Sequence, residues 1–367
     1  MFLSAAAGSG SVASTTLRRL SVLIAVSNDE FATDEAAPIV GDSDLAAQLG
    51  AGSADDEHSC LRTIGMSTIV TGASGLLGRA VLAALSVDDS FRNVQGWTYS
   101  RPGSVQVNLT DGAAVRSALT KAQAKFIVHC AAIRRPDEIK NDEQLAENLN
   151  VRSNEFFCDY LKEVPDGFLL YISTDYVFDG KNPPYGSDDT PNAINKYGQQ
   201  KIAAEKFILE TLPGKSAILR VPILYGPVEY LAEGAVDEVL KALLNNPPNK
   251  PIQLDHYHLR YPTHVKDIAS AIALILRKRL EAPGDIKGIY QWRADEQLTK
   301  YDMAIIMAEQ LGLPHEHYVA NTSAPSGGDS AARPHNCCMK TDRLHELGAK
   351  IAISFPEGIR DLTEHVK

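Results

Sequence analysis

Tyr197 and Lys201 stand four residues apart in Tyr197-Gly-Gln-Gln-Lys201, so on a helix they share one face. An ammonium beside a phenol favours the phenolate, which is expected to lower the tyrosine from about 10 toward neutrality. Such a tyrosine can give its proton to a carbonyl oxygen while hydride arrives at the carbon. Upstream, Ser173-Thr174-Asp175 closes an apolar run, and Thr174 can hydrogen-bond the same oxygen. Y-x-x-x-K alone is frequent on helix surfaces, so its meaning rests on what positions it. The other stretch with chemical content is Thr71-Gly72-Ala-Ser74-Gly75-Leu76-Leu77-Gly78. Glycines here allow backbone N–H groups and a helix N-terminus to approach a pyrophosphate, where a Cβ would obstruct. The spacing is G-x-x-G-x-x-G, and an ordinary strand-to-helix loop can carry the same glycines.

The elements that must hold these groups alternate strand and helix from Ser67 onward. That alternation predicts an α/β fold, a Rossmann-type doubly wound parallel sheet with helices on both faces. Thr68–Thr71 is the first strand, and a helical pattern over Leu76–Leu85 follows the glycines. The second strand, Asn93–Ser100, ends in Ser100-Arg101 without an acid. An Asp or Glu there takes the ribose hydroxyls of NAD, whereas a basic residue accommodates the 2′-phosphate of NADP. Arg101, with Arg79, therefore favours NADP; a solvated loop arginine is the competing reading. The third strand spans Val105–Leu109, with Asp111 at the expected adenine edge. The fourth, Phe126–Cys130, runs into Ala131-Ala132, small enough to lie under a cofactor. The fifth, Phe168–Ser173, places Thr174 and Asp175 at the carboxyl edge of the sheet, where ligands bind in such folds.

A net charge of −10 with no Lys/Arg block argues against a nucleic-acid backbone as main partner. No apolar run is long enough to span a bilayer. Five scattered cysteines suggest a reducing compartment and idle thiols. His256-x-His258 and His315-x-His317 lack Cys or carboxylate partners at a recognised spacing, so no metal is expected. Residues 1–65 differ from the rest. Residues 1–28 carry Arg18 and Arg19 and no acid, and an acidic segment runs from Asp29 to Glu57. An acid-free start resembles an organelle transit peptide and so a mitochondrial address; the preferred reading is a disordered extension of a cytoplasmic protein.

TGASGLLG at 71–78, STDYVFDG at 173–180, YGQQK at 197–201 and Arg220-Val-Pro-Ile-Leu-Tyr225-Gly226 give the chain its family likeness. Over about residues 66–345 it resembles the extended short-chain dehydrogenase/reductase superfamily, and within it the dTDP-4-dehydrorhamnose reductase branch. The resemblance implies a reductase triad of Thr174, Tyr197 and Lys201. It implies a cofactor site of Thr71, Gly72, Ser74, Gly75, Leu76, Leu77 and Gly78, then Ser100, Arg101, Asn108 and Leu109, then Cys130, Ala131, Ala132 and Pro222. Arg134, Arg135, Asp175 and Arg333 would face the substrate. It further implies an NADP-binding domain at 66–226 to which 261–284 returns. A smaller substrate-type subdomain would comprise 227–260 and 285–345, followed by a C-terminal segment at 346–367.

His129-Cys-Ala-Ala-Ile-Arg134-Arg135-Pro136-Asp137, Ile223-Leu-Tyr-Gly-Pro-Val-Glu229, Tyr261-Pro-Thr-His264-Val-Lys-Asp267 and Glu296-Gln-Leu-Thr-Lys-Tyr-Asp-Met303 sharpen the likeness. They resemble the regulatory β subunit of methionine adenosyltransferase. That implies a non-catalytic protein that binds NADP and associates with the methionine adenosyltransferase catalytic subunit to modulate S-adenosylmethionine synthesis. The alternative is an active NADPH-dependent reductase of a dTDP-4-keto-6-deoxy sugar, with a nucleotide-sugar ligand. NAD-dependent sugar nucleotide epimerases fit less well, since the acid after the second strand is missing. The family's β subunit ends in an aromatic- and Arg-rich tail, a pattern that Thr363-Glu-His-Val-Lys367 does not match.

Overall fold

A computed structural model of the chain describes residues 67–245, 250–324 and 331–364; the expected N-terminal extension lies outside them. Seven parallel strands form the central sheet. They are β1 (Ser67–Thr71), β2 (Asn93–Thr98), β3 (Val105–Gln106), β4 (Ala124–His129), β5 (Phe168–Thr174), β6 (Ser216–Val221) and, much later in the chain, β10 (Gly288–Gln291). Their spatial order is β10-β6-β5-β4-β1-β2-β3. Two short parallel pairs complete the strands: β7 (Leu224–Tyr225) with β9 (Thr263–His264), and β8 (Ile252–Asp255) with β11 (Tyr318–Asn321). Strand order reverses between β1 and β4, and a crevice opens outside the strand ends at such a point.

β1 and β5 are buried along their whole length, as a strand covered on both faces requires. Alternate residues serve opposite layers. Val70, Val128 and Leu170 meet Val81 and Leu85 of the helix Leu76–Ser86 and Ile268, Ile272 and Leu276 of the helix Val265–Glu281. Ile69, Ile127 and Leu169 belong to the opposite layer with Val115, Leu119, Phe157 and Ile208. A third cluster joins Tyr225, Leu240 and Leu243 to Met303, Met307, Phe355 and Ile359.

Several boundaries differ from expectation. β2 stops at Thr98 and β3 covers only Val105–Gln106, because Asn108 turns the chain, accepting from the Thr110 N–H and hydroxyl. β10 pairs with β6, so this part of 285–345 sits in the central sheet. No helix among the described residues is long and apolar enough to cross a membrane.

Candidate functional site

The turn after β1 owes its shape to two of its three glycines. Gly72 has φ +64°, and a Cβ on it would meet backbone atoms of Ala131 at 2.8 Å. One on Gly78 would lie 2.1 Å from the Gly72 carbonyl oxygen, so the helix could not pack against its own turn. Gly75 is different: it is exposed, and a Cβ there would meet only the Gly72 oxygen at 3.4 Å. It caps the helix Leu76–Ser86 without any side-chain acceptor. The helix N-terminus therefore presents donors and partial positive charge to the crevice. Thr71 faces the other way. Its hydroxyl lies 2.6 Å from Nδ1 of the buried His129 and accepts the Ala131 N–H at 3.3 Å. It supports the turn from behind.

The crevice has a volume of about 890 Å³. At one end lie Ser74, Gly75, Leu76 and Leu77, with Asn108 and Leu109 beside them. Cys130, Ala131, Ala132 and Pro222 line the middle, followed by Thr174, Tyr197 and Lys201. Asp175, Arg134, Arg135 and Arg333 also line it, joined by Arg260 and Lys300, which sequence reasoning missed. Ser100 and Arg101 are not part of this lining: Ser100 is exposed and Arg101 half-buried. Asp111, expected at an adenine edge, caps the helix Gly112–Ala122 by accepting from the N–H groups of Ala113 and Ala114.

Tyr197 and Lys201 ride the helix Lys196–Thr211, whose start is capped by Asn195. Asn195 Oδ1 accepts the Gly198 N–H at 2.9 Å. Lys201 Nζ donates to the Ile172 carbonyl at 2.8 Å, 4.4 Å from the Tyr171 ring centre and 5.9 Å from that of Tyr197. Burial lowers this lysine to about 7. The tyrosine runs against expectation: burial pushes Tyr197 above its ordinary value. Arg134 and a hydrogen bond with Thr174 only partly offset that rise. A half-charged lysine aimed at a β5 carbonyl does not depress it. Thr174 Oγ1 donates to Asp175 Oδ1 at 3.1 Å, and burial raises Asp175 to about 7. Burial also raises the Cys130 thiol to about 12, so it stays protonated. Asn150, in a wide helical turn over Asn148–Arg152, ties the far wall together through Ile133 and Gln200.

A strap over Pro227–Val236 passes beside the glycine turn. Arg79 forks onto Glu233 at 2.7 and 2.9 Å and reaches the Ser74 carbonyl at 2.7 Å. Arg134 and Arg135, expected to face a substrate, donate to the carbonyls of Glu233 and Ala232. Arg101 pairs with Glu229. Arg333 is bound to Asp137 at 2.7 Å. The acids at 229 and 233 were invisible as site residues, though their four-residue spacing within a distinctive segment was a signal.

The family model of the RmlD substrate binding domain matches residues 66–367. Methionine adenosyltransferase 2 subunit beta of Bos taurus is 41% identical over 293 residues, 80% of this chain and 86% of that one. A dTDP-4-dehydrorhamnose reductase of Streptomyces griseus is 32% identical over 209 residues, 56% of this chain and 64% of its own. The crystal structure of a Bacillus anthracis dTDP-4-dehydrorhamnose reductase in complex with NADP superposes with a TM-score of 0.68. It shares 23% identity and covers 81% of this chain and 99% of that one, a likeness of fold. The chain therefore belongs to the RmlD substrate binding domain family of extended short-chain dehydrogenase/reductases, and within it to the methionine adenosyltransferase beta subunits.

Proposed function

We propose that this protein binds NADP in the crevice and associates with a methionine adenosyltransferase catalytic subunit, modulating S-adenosylmethionine synthesis. The carrying observation is the 41% identity to a beta subunit across 80% of the chain. The cofactor part fits the residues present. A glycine cradle that side chains would fill and an uncapped helix N-terminus suit a pyrophosphate. Arg101 follows β2 by three residues, on the side where a 2′-phosphate would lie. Tyr197, Lys201 and Pro222 would hold the nicotinamide riboside, and Asn108 and Leu109 would flank the adenosine.

The test is co-purification with the catalytic subunit of the same organism in the presence of NADP, followed by methionine kinetics with and without this chain. Association with altered methionine dependence is expected; failure to associate would sink the proposal.

One observation favours a second reading. Thr174, Tyr197 and Lys201 line the same crevice, where a hydroxyl and a phenol can hold or deliver a proton at a carbonyl oxygen. Bound NADPH would supply hydride. NADPH oxidation with a dTDP-4-keto-6-deoxy sugar, at high protein concentration, separates the readings. Turnover would put catalysis ahead of regulation.

A further inference from the structure

The strap Pro227–Val236 is held by two ion pairs of unlike character. Arg79 and Glu233 form a forked pair with side chains only 20% and 7% exposed. Glu233 also accepts the Glu229 N–H at 2.9 Å, so it fixes the backbone of the strap. Arg101 and Glu229, by contrast, are 39% and 43% exposed. Arg101 has no other carboxylate partner among the described residues, and Glu229 lies 3.7 Å from Arg79 besides. The first pair is a strut. The second is a solvent-facing contact, weak enough to exchange.

Arg101 is also the first basic residue after β2, two positions past Tyr99 of the crevice lining, on the side where a 2′-phosphate would lie. A carboxylate and a phosphate ask the same thing of a guanidinium, two oxygens set to meet its fork. Glu229 holds Nη2 through one oxygen, and a phosphate set on the Nη1–Nη2 fork would compete with it for that nitrogen. We propose that Glu229 is a built-in competitor for Arg101. It occupies the guanidinium that the 2′-phosphate would engage, and so sets how strongly the site prefers NADP over NAD. This rests on the reading of the crevice as an NADP site. When the phosphate displaces Glu229, only that side chain is freed from Arg101: Glu233 still accepts the Glu229 N–H and Arg79 still holds the Pro227 carbonyl.

The experiment is calorimetric binding of NADP and NAD to the full chain, its Glu229→Gln and Glu229→Ala variants, Arg101→Ala, and the Arg101→Ala/Glu229→Gln double variant. An exposed pair is worth up to about 1 kcal/mol, so losing Glu229 should tighten NADP by up to about fivefold and leave NAD unchanged. The effect should vanish in the Arg101→Ala background. An unchanged NADP-to-NAD ratio in both Glu229 variants overturns the inference, as does an effect that persists without Arg101. If Arg101→Ala itself leaves the ratio unchanged, the assignment of Arg101 as phosphate receptor fails first, a result distinct from failure of the competitor alone.

Discussion

At the scale of single residues, the crevice separates groups that shape it from groups that face into it. Gly75 makes the distinction testable. Its φ of −85° suits any residue, so Gly75→Asp should fold normally. A carboxylate at the helix N-terminus would then repel a pyrophosphate, weakening NADP by more than about a hundredfold in calorimetry. Gly78→Ala should instead lower the melting temperature, since its Cβ would fall 2.1 Å from the Gly72 oxygen. Tyr197→Phe should leave binding of NADP and of the catalytic subunit nearly unchanged while removing any reductase turnover. Lys201 and Asp175 both sit at about 7 through burial. Lowering the pH from 8 to 6 adds a proton to each and makes the crevice more positive. NADP affinity should therefore rise over that interval with proton uptake, read from calorimetry in buffers of different ionisation enthalpy; a flat profile would refute the linkage. The direction of the Tyr197 shift could not be read from the spacing of Tyr197 and Lys201. Spacing gives proximity, but burial depends on walls contributed by distant chain.

Among the elements, the helix Lys196–Thr211 has the most to keep in register. It is locked to β6 by Arg220 and Glu205, buried and paired at 2.6 Å, with Gln291 of β10 at 3.4 Å. Removing one partner leaves a buried charge unmatched, so Glu205→Ala should cost about 3–5 kcal/mol in denaturant unfolding. A Glu205→Leu/Arg220→Met pair should recover most of that. β4 carries its own pH sensor in His129, which burial holds down to about 3. The unfolded chain binds this proton below about 6.5, so the unfolded state carries more protons between those values. Stability is complete above 6.5 and falls as pH drops toward 3, by at most about 1.4 kcal/mol per unit from this group. His129→Gln should flatten that slope. The glycine turn, β1, β5 and the helix bearing Tyr197 were legible because their signals are local. β3 was overextended, since Asn108 diverts the chain just past it. Asp111, expected at an adenine edge, caps the helix Gly112–Ala122 instead, since a carboxylate just before a helix satisfies its free N–H groups.

On the whole-molecule scale, what the sequence concealed is what folding brings together across long separations. Arg101 meets Glu229 across 128 residues, and Arg79 meets Glu233 across 154. β10, late in the chain, returns to extend a sheet whose other strands are all complete before residue 222. A periodic pattern cannot announce such returns, because each segment by itself reads as an ordinary strand or loop. Family likeness carried the partner assignment, whereas local chemistry carried the cofactor.

The two margins of the central sheet differ in what they leave uncovered. β3 pairs with β2 only at Trp97 and Thr98, so Asn93–Gly96 of β2 have no neighbouring strand on that side among the described residues. At the opposite margin, Arg343 donates to the carbonyls of Ile289 and Lys287 and stacks 4.3 Å from the Tyr290 ring centre. Its guanidinium thus caps carbonyl groups along β10 that an incoming strand would otherwise use. Arg343→Ala should uncover the β10 carbonyls and raise light scattering on mild heating well before the sheet unfolds. Equal scattering from both proteins would show that this margin is protected by something other than Arg343.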